Sequence, residues 1–144
     1  MKHARSAVGI SLAVSAALLA GCSGHGKYTT EGKNLAEMRT AQLKSGTEWS
    51  MAQQAFLAGD LDRALKRVDT SITINPEAPK SHVLKGRILA ERGQLGPAIE
   101  SFDQAIALDP ESFEAHYYQG VVFERLTQHE KALTQYKKAG ELDP

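Results

Sequence analysis

The sequence has little cysteine, few aromatic residues and no excess of charge. Its 144 residues include one cysteine, which excludes an internal disulfide and a zinc site built from several cysteines. The 17 basic and 17 acidic residues balance, whereas a nucleic-acid-binding protein needs a concentrated positive surface. Aromatic residues make up only 6%, and abundant Ala, Leu, Glu, Lys and Gln favour helices over strands. The composition therefore predicts one small helical domain that does not bind nucleic acid.

Residues 1–21 have the features of a secretory signal peptide. Lys2 and Arg5 precede an apolar run from Ala7 to Ala20, and residues 1–22 contain no acidic residue. The run is shorter than the ~20 apolar residues that a membrane span requires. This segment therefore predicts export followed by cleavage, and not a permanent transmembrane helix.

The end of this segment reads Leu19-Ala20-Gly21-Cys22, which resembles the lipobox of bacterial lipoproteins at all four positions. The resemblance implies a diacylglycerol on the Cys22 sulfur, cleavage before Cys22, and anchoring of the mature protein without spanning. No cofactor is expected besides this covalent lipid. Ser23, in place of Asp, implies sorting to the outer membrane of the bacterial envelope, facing the periplasm. The alternative is an ordinary secreted protein with an unmodified cysteine.

The segment from residue 22 to residue 44 is predicted to link the lipid to the folded domain. Residues 22–34 are rich in Gly, Ser and Lys, which is typical of a flexible tether. Residues 34–44 are predicted to form a short helix with Leu35, Met38 and Leu43 roughly on one face. Ser45-Gly46-Thr47 is predicted to interrupt this helix.

The remainder of the sequence repeats with a period of 34 residues. Asn75-Pro76, Asp109-Pro110 and Asp143-Pro144 follow this period. Five further columns share it, most of them small or apolar: Ala52, Gly86, Gly120; Gly59, Gly93, Thr127; Ala64, Ala98, Ala132; Val68, Phe102, Tyr136; and Ser71, Ala105, Ala139. Each unit reads as two helices, the second ending before the proline because the residue that precedes a proline disfavours helix.

This pattern resembles the tetratricopeptide repeat. The resemblance implies an all-α solenoid of three helix-turn-helix repeats at residues 45–78, 79–112 and 113–144. Small residues at repeat positions 8 and 20 let two helices approach closely, and the large residue at position 24 fills the next gap. The sequence departs from the family at position 4, which holds Glu48, His82 and His116, and at position 7, which holds Met51, Lys85 and Gln119.

In this family the first helices of the repeats line a concave groove that binds a partner protein or peptide. When the groove positions of the family are transferred to this sequence, they predict the following lining residues: Trp49, Gln53, Phe56, Lys80, Val83, Arg87, Tyr117, Val121 and Glu124. Trp49 and Tyr117 are the expected anchors, and Arg87 is expected to bind a carboxylate. The alternative is that the helix of residues 34–44 covers Trp49 and Phe56. The paired Lys and Asn residues of chaperone-binding repeats, which clamp a terminal carboxylate, are missing.

Catalysis and metal binding have little support in the sequence. No Ser/His/Asp cluster, phosphate-binding loop or carboxylate pair stands out, so we expect no catalytic residues. His82 and His116 occupy one repeat column, but a third ligand is missing, and we expect no metal site.

The sequence thus predicts a lipid-anchored adaptor or scaffold protein, with an architecture like that of pilotins or of lipoproteins that scaffold cell-wall enzymes. An alternative is a structural envelope lipoprotein that self-associates through its C-terminal repeat, around Leu133, Tyr136, Lys137 and Leu142. A further alternative is a fragment of a longer repeat array, because the sequence stops at the last repeat position.

Overall fold

The computed structural model describes residues 27–142, and the side chains of residues 30–142. The predicted signal peptide, the predicted lipidation site Cys22 and the last Asp-Pro pair lie outside the described residues. The described chain forms six helices and no strand, with these bounds: α1 Lys27–Leu57, α2 Leu61–Ile74, α3 Pro79–Glu91, α4 Leu95–Leu108, α5 Phe113–Arg125 and α6 His129–Leu142. The predicted all-α class is therefore confirmed.

The helices pack as three consecutive pairs that stack into a solenoid. α1 packs on α2, α3 on α4 and α5 on α6, while α3 also contacts both α1 and α5. Within each pair the turn has one residue with positive φ: Gly59 at 79°, Gly93 at 76° and Thr127 at 58°. Glycine adopts this conformation without steric cost. The repeat position that these three residues share is therefore the turn between the two helices of each pair. These turns reverse the chain and make the paired helices antiparallel.

Small residues set the distance between paired helices, as the repeat pattern predicts. Ala64, Ala98 and Ala132 are buried at the contact positions of α2, α4 and α6. A Cβ added to Gly86 on α3 would lie 2.6 Å from the ring of Phe102 on α4. The ring therefore rests directly on the backbone of α3, and no larger side chain fits at position 86 without a shift.

The predicted break at Ser45-Gly46-Thr47 is wrong, because α1 runs through it without interruption. Ser45 is buried and its hydroxyl donates to the Ser71 carbonyl oxygen at 3.2 Å, which holds this helical turn of α1 against α2. The Thr47 hydroxyl donates to the Leu43 carbonyl within the helix, at 3.0 Å. One glycine costs a helix only about 1 kcal/mol, and the packing of residues 45–57 outweighs that cost.

The first half of α1 extends beyond the solenoid. Residues 27–34, which were predicted to be part of a flexible tether, are helical. Apart from half-buried Ala41, residues 30–44 are exposed, including Leu35, Met38 and Leu43. Over the described residues, no helix is both long enough and apolar enough to cross a membrane.

Candidate functional site

A groove lies on the face of the solenoid formed by α1, α3 and α5. It encloses about 390 Å³, and its lining includes five of the predicted groove residues: Trp49, Gln53, Lys80, Val83 and Arg87. On the opposite wall, Glu114 and Tyr118 of α5 line the groove together with Asp109, Ser112 and Phe113. The groove thus combines aromatic surface, two cationic side chains and two carboxylates in one concave space.

Trp49 is fixed in the groove by a hydrogen bond between repeats. Its indole Nε1–H donates to the carbonyl oxygen of Lys80 at 3.1 Å, which joins α1 to α3. The alternative that residues 34–44 fold over Trp49 and Phe56 is wrong, because α1 is one continuous helix and cannot turn back on itself. Both rings remain half-buried, and Trp49 presents the rest of its surface to the groove.

Arg87 is held between two aromatic rings. The carbon centre of its guanidinium lies 5.0 Å from the ring centroid of Phe56 and 4.4 Å from that of Tyr118. Each distance is within the range of a cation–π interaction. Phe56 therefore supports the groove from behind Arg87, although it does not itself line the cavity. Tyr118 also stacks on Phe102, at 6.5 Å between centroids, which connects the groove to the hydrophobic core.

Three of the groove residues predicted for the third repeat, Tyr117, Val121 and Glu124, lie outside the groove. Tyr117 lies on the C-terminal end face, a mostly apolar hollow of about 430 Å³ lined by Phe113, Tyr117, Tyr136, Ala139 and Gly140. Glu124 accepts a hydrogen bond from the Tyr136 hydroxyl at 2.8 Å, and half-buried Val121 lines neither cavity. Burial of the phenol and its hydrogen bond to Glu124 raise the pKa of Tyr136 to about 12.

The prediction missed Tyr118, which takes the place expected for Tyr117. Neighbouring residues on a helix point about 100° apart, so only one of two adjacent tyrosines faces a given groove. The first helices of successive repeats are rotated relative to each other along the solenoid. The aromatic pair at positions 117 and 118 was the available signal, but the local pattern did not settle which ring faces Arg87.

The two histidines of the repeat column bind backbone. His82 Nε2 donates to the carbonyl oxygen of Pro76 at 2.8 Å, and His116 Nε2 donates to that of Pro110 at 3.0 Å. Each histidine thus holds the loop between two repeats to the next first helix. Within residues 30–142, no group of three metal-ligating side chains comes together.

A second and larger hollow lies on the opposite face, against α2, α3 and α4. It encloses about 650 Å³, and its lining includes Leu65, Leu89 and Glu100. The Lys85 amine and the Asp69 carboxylate within it form an ion pair at 2.8 Å. Because these two charges pair with each other, this hollow offers a charged ligand fewer unpaired groups than the groove does.

Comparison with protein families agrees with the geometry. A tetratricopeptide repeat (TPR) family model matches residues 51–103, and a second TPR model matches residues 86–126. The chain contains tetratricopeptide repeats. Neither TPR model describes an enzyme. A comparison with curated proteins finds no significant match.

Solved structures, two of them described as TPR domains, share this fold. The second TPR domain of Spaghetti (RPAP3), bound to an HSP90 peptide, is 18% identical with a TM-score of 0.75, and the match covers 80% of this chain and 99% of that one. The Arabidopsis OM64 TPR domain is 16% identical with a TM-score of 0.70, covering 72% and 86%. MamA is 19% identical with a TM-score of 0.65; the match covers 69% of this chain and 58% of MamA. At these identities the similarity is one of fold alone.

Proposed function

We propose that this protein is a lipid-anchored adaptor that holds a segment of a partner protein in the groove between α1, α3 and α5. The observation that carries the proposal is that half-buried Trp49 and the Arg87 guanidinium, each held by neighbouring residues, line the same open concave surface. Tryptophan and arginine supply much of the binding energy in protein interfaces. Because both side chains are already held by neighbours, little conformational freedom is lost when a partner binds.

A solved TPR domain with this fold provides a precedent. The Spaghetti (RPAP3) domain is described as bound to the HSP90 peptide SRMEEVD. We carry over only the use of the groove for a peptide segment. The chemistry of the ligand differs here, since Trp49 and Gln53 stand where chaperone-binding repeats have a lysine and an asparagine.

The proposed location rests on the lipobox. We propose that Cys22 carries the lipid, and that the mature protein is attached to the outer membrane of a bacterium and faces the periplasm. The half of α1 that precedes residue 45 then acts as a spacer. At about 1.5 Å per residue, helical residues 27–44 add roughly 27 Å between the anchor and the groove.

Self-association is the second candidate function, and the C-terminal end face supports it. This face exposes Tyr117, which has 44% of its surface accessible. The N-terminal face of the first repeat presents polar, exposed Thr47, Ser50 and Gln54 at the positions where the next repeat has Ser81, Leu84 and Ile88. An apolar face does not pair well with a polar one, so contact between two C-terminal faces is favoured over head-to-tail stacking.

Membrane fractionation and affinity capture from native cells test the adaptor proposal with four forms of the full chain. They are the native protein, Cys22→Ser, a groove variant Trp49→Ala/Arg87→Ala, and a matched variant of the opposite face, Lys85→Ala/Gln104→Ala. We expect the native protein to fractionate with outer membranes and to capture one partner protein reproducibly. The Cys22→Ser form loses the membrane fraction, and the groove variant loses the partner while it stays at the membrane.

The opposite-face variant is the control for nonspecific effects of double substitution. We expect it to keep both the membrane fraction and the partner. A groove variant that captures the same protein as the native form would contradict the adaptor proposal. Capture of nothing but further copies of this chain, equally by all forms, would favour self-association.

A further inference from the structure

The Arg87 guanidinium has no anionic partner within the part of the chain that the structure describes. The ion pairs there are Arg67–Glu48, Lys85–Asp69, Arg92–Asp62 and Lys138–Glu141, and the guanidinium of Arg87 makes no hydrogen bond. Phe56 and Tyr118 instead contact it through their rings. A half-buried arginine therefore lines the groove, and no residue among those described here uses its hydrogen-bond donors.

The shape of the guanidinium determines what kind of group suits those donors. It is planar, and its cation–π contacts with Phe56 and Tyr118 use none of the N–H donors along its edge. The edge carries paired N–H donors whose spacing matches the two oxygens of a carboxylate. Partial burial of Arg87 strengthens such a pair relative to one in open water. A carboxylate is thus the complementary group for this position.

The opposite wall restricts how much negative charge the groove accepts. Asp109 and Glu114 line it across from Lys80 and Arg87, so the four side chains sum to zero charge. A run of acidic residues would bring at least one carboxylate next to Asp109 or Glu114, where like charges repel. The groove therefore favours a ligand with one carboxylate over an acidic cluster.

We infer that the partner segment carries a single aspartate or glutamate side chain, whose carboxylate pairs with Arg87, within an otherwise apolar sequence. This inference rests on the proposed function of the groove. It specifies an internal acidic side chain, in contrast to a segment recognised through several carboxylates. The apolar neighbours of the acidic residue then contact Trp49 and Val83, which line the same groove.

Selection from a random twelve-residue phage-display library tests this inference. The target is the predicted mature chain without its lipidated Cys22, residues 23–144, which contains every described helix. Recovered peptides are remade with each acidic residue changed to its amide. They are then titrated against the native chain and against Trp49→Ala, Arg87→Gln and Arg87→Lys, after circular dichroism confirms that each variant is folded.

Groove-binding peptides are those whose affinity is lowered by Trp49→Ala. We expect them to share one Asp or Glu flanked by apolar residues. Changing that residue to its amide, or Arg87 to Gln, weakens binding about tenfold to a hundredfold. Combining the two changes weakens it little further, because they remove the same pair. Arg87→Lys gives an intermediate loss, since lysine keeps the charge and lacks the paired donors.

The outcomes separate this inference from the function on which it rests. Groove-binding peptides that share no acidic residue, or that tolerate its change to an amide, would overturn the inference and leave the proposed function standing. Peptides with several required carboxylates would overturn it as well. If no peptide depends on Trp49, the proposed function fails and the inference fails with it.

Discussion

Replacing Phe102 with alanine is expected to lower the free energy of unfolding by about 3–5 kcal/mol, the largest loss we expect among the residues that the structure describes. The Phe102 side chain is fully buried, rests on Gly86 of α3 and stacks on Tyr118 of α5. Its removal leaves a cavity at the junction of the second and third repeats. Because domains are stable by only about 5–15 kcal/mol, urea denaturation followed by circular dichroism resolves this loss readily.

Tyr136→Ala is the matched control, since Tyr136 occupies the same repeat position one unit later. Tyr136 lies on the half-exposed end face and is hydrogen-bonded to Glu124. Water can fill the space that its removal opens, so we expect a loss of less than half that of Phe102→Ala. Equal losses would contradict the assignment of Phe102 to the centre of the core.

Replacing Gly86 with alanine is expected to destabilise the protein, although alanine favours helices. The new Cβ would lie 2.6 Å from the ring of Phe102, which is closer than van der Waals contact allows. Phe102 is enclosed and cannot move away, so overpacking costs about 1–3 kcal/mol. Most of that range exceeds the gain of about 1 kcal/mol from replacing a helical glycine. Thermal unfolding of the two proteins measures the net loss.

Gly46→Ala is the control for helix propensity alone. Gly46 lies within α1, and a Cβ added there meets no other atom within 4 Å. We expect this variant to be more stable than the native protein by about 1 kcal/mol. Destabilisation by Gly46→Ala would mean that α1 is broken at this position, as the sequence had suggested.

The sequence predicted the paired helices because the repeat columns encode contacts within each unit. Gly86 and Phe102 touch, as do Gly120 and Tyr136, and these pairs lie at equal separation in the sequence. The continuity of α1 was not predictable in this way. Ser45, Gly46 and Thr47 are weak helix formers, and the burial of Ser45 against Ser71, a contact between distant residues, determines the outcome.

The groove residues of α1 and α3 were predictable because repeat positions 5 and 9 face the same side in adjacent helices. The structure brings Trp49, Gln53, Val83 and Arg87 together as the family positions suggest. On α5 the same positions gave Tyr117, whereas Tyr118 faces Arg87. A rotation of one helix by a fraction of a turn decides between them, and that rotation follows from the packing of Tyr118 on Phe102.

Site-specific photo-crosslinking in native cells tests the central claim most directly, namely that the groove is the surface that holds the partner. The photoreactive residue p-benzoylphenylalanine is placed at one of three exposed helical positions: 80 in the groove, 104 on the opposite face, or 140 on the C-terminal end face. We predict that position 80 crosslinks to one partner protein and that positions 104 and 140 do not. A partner captured from position 104 or 140 but not from position 80 would contradict the account.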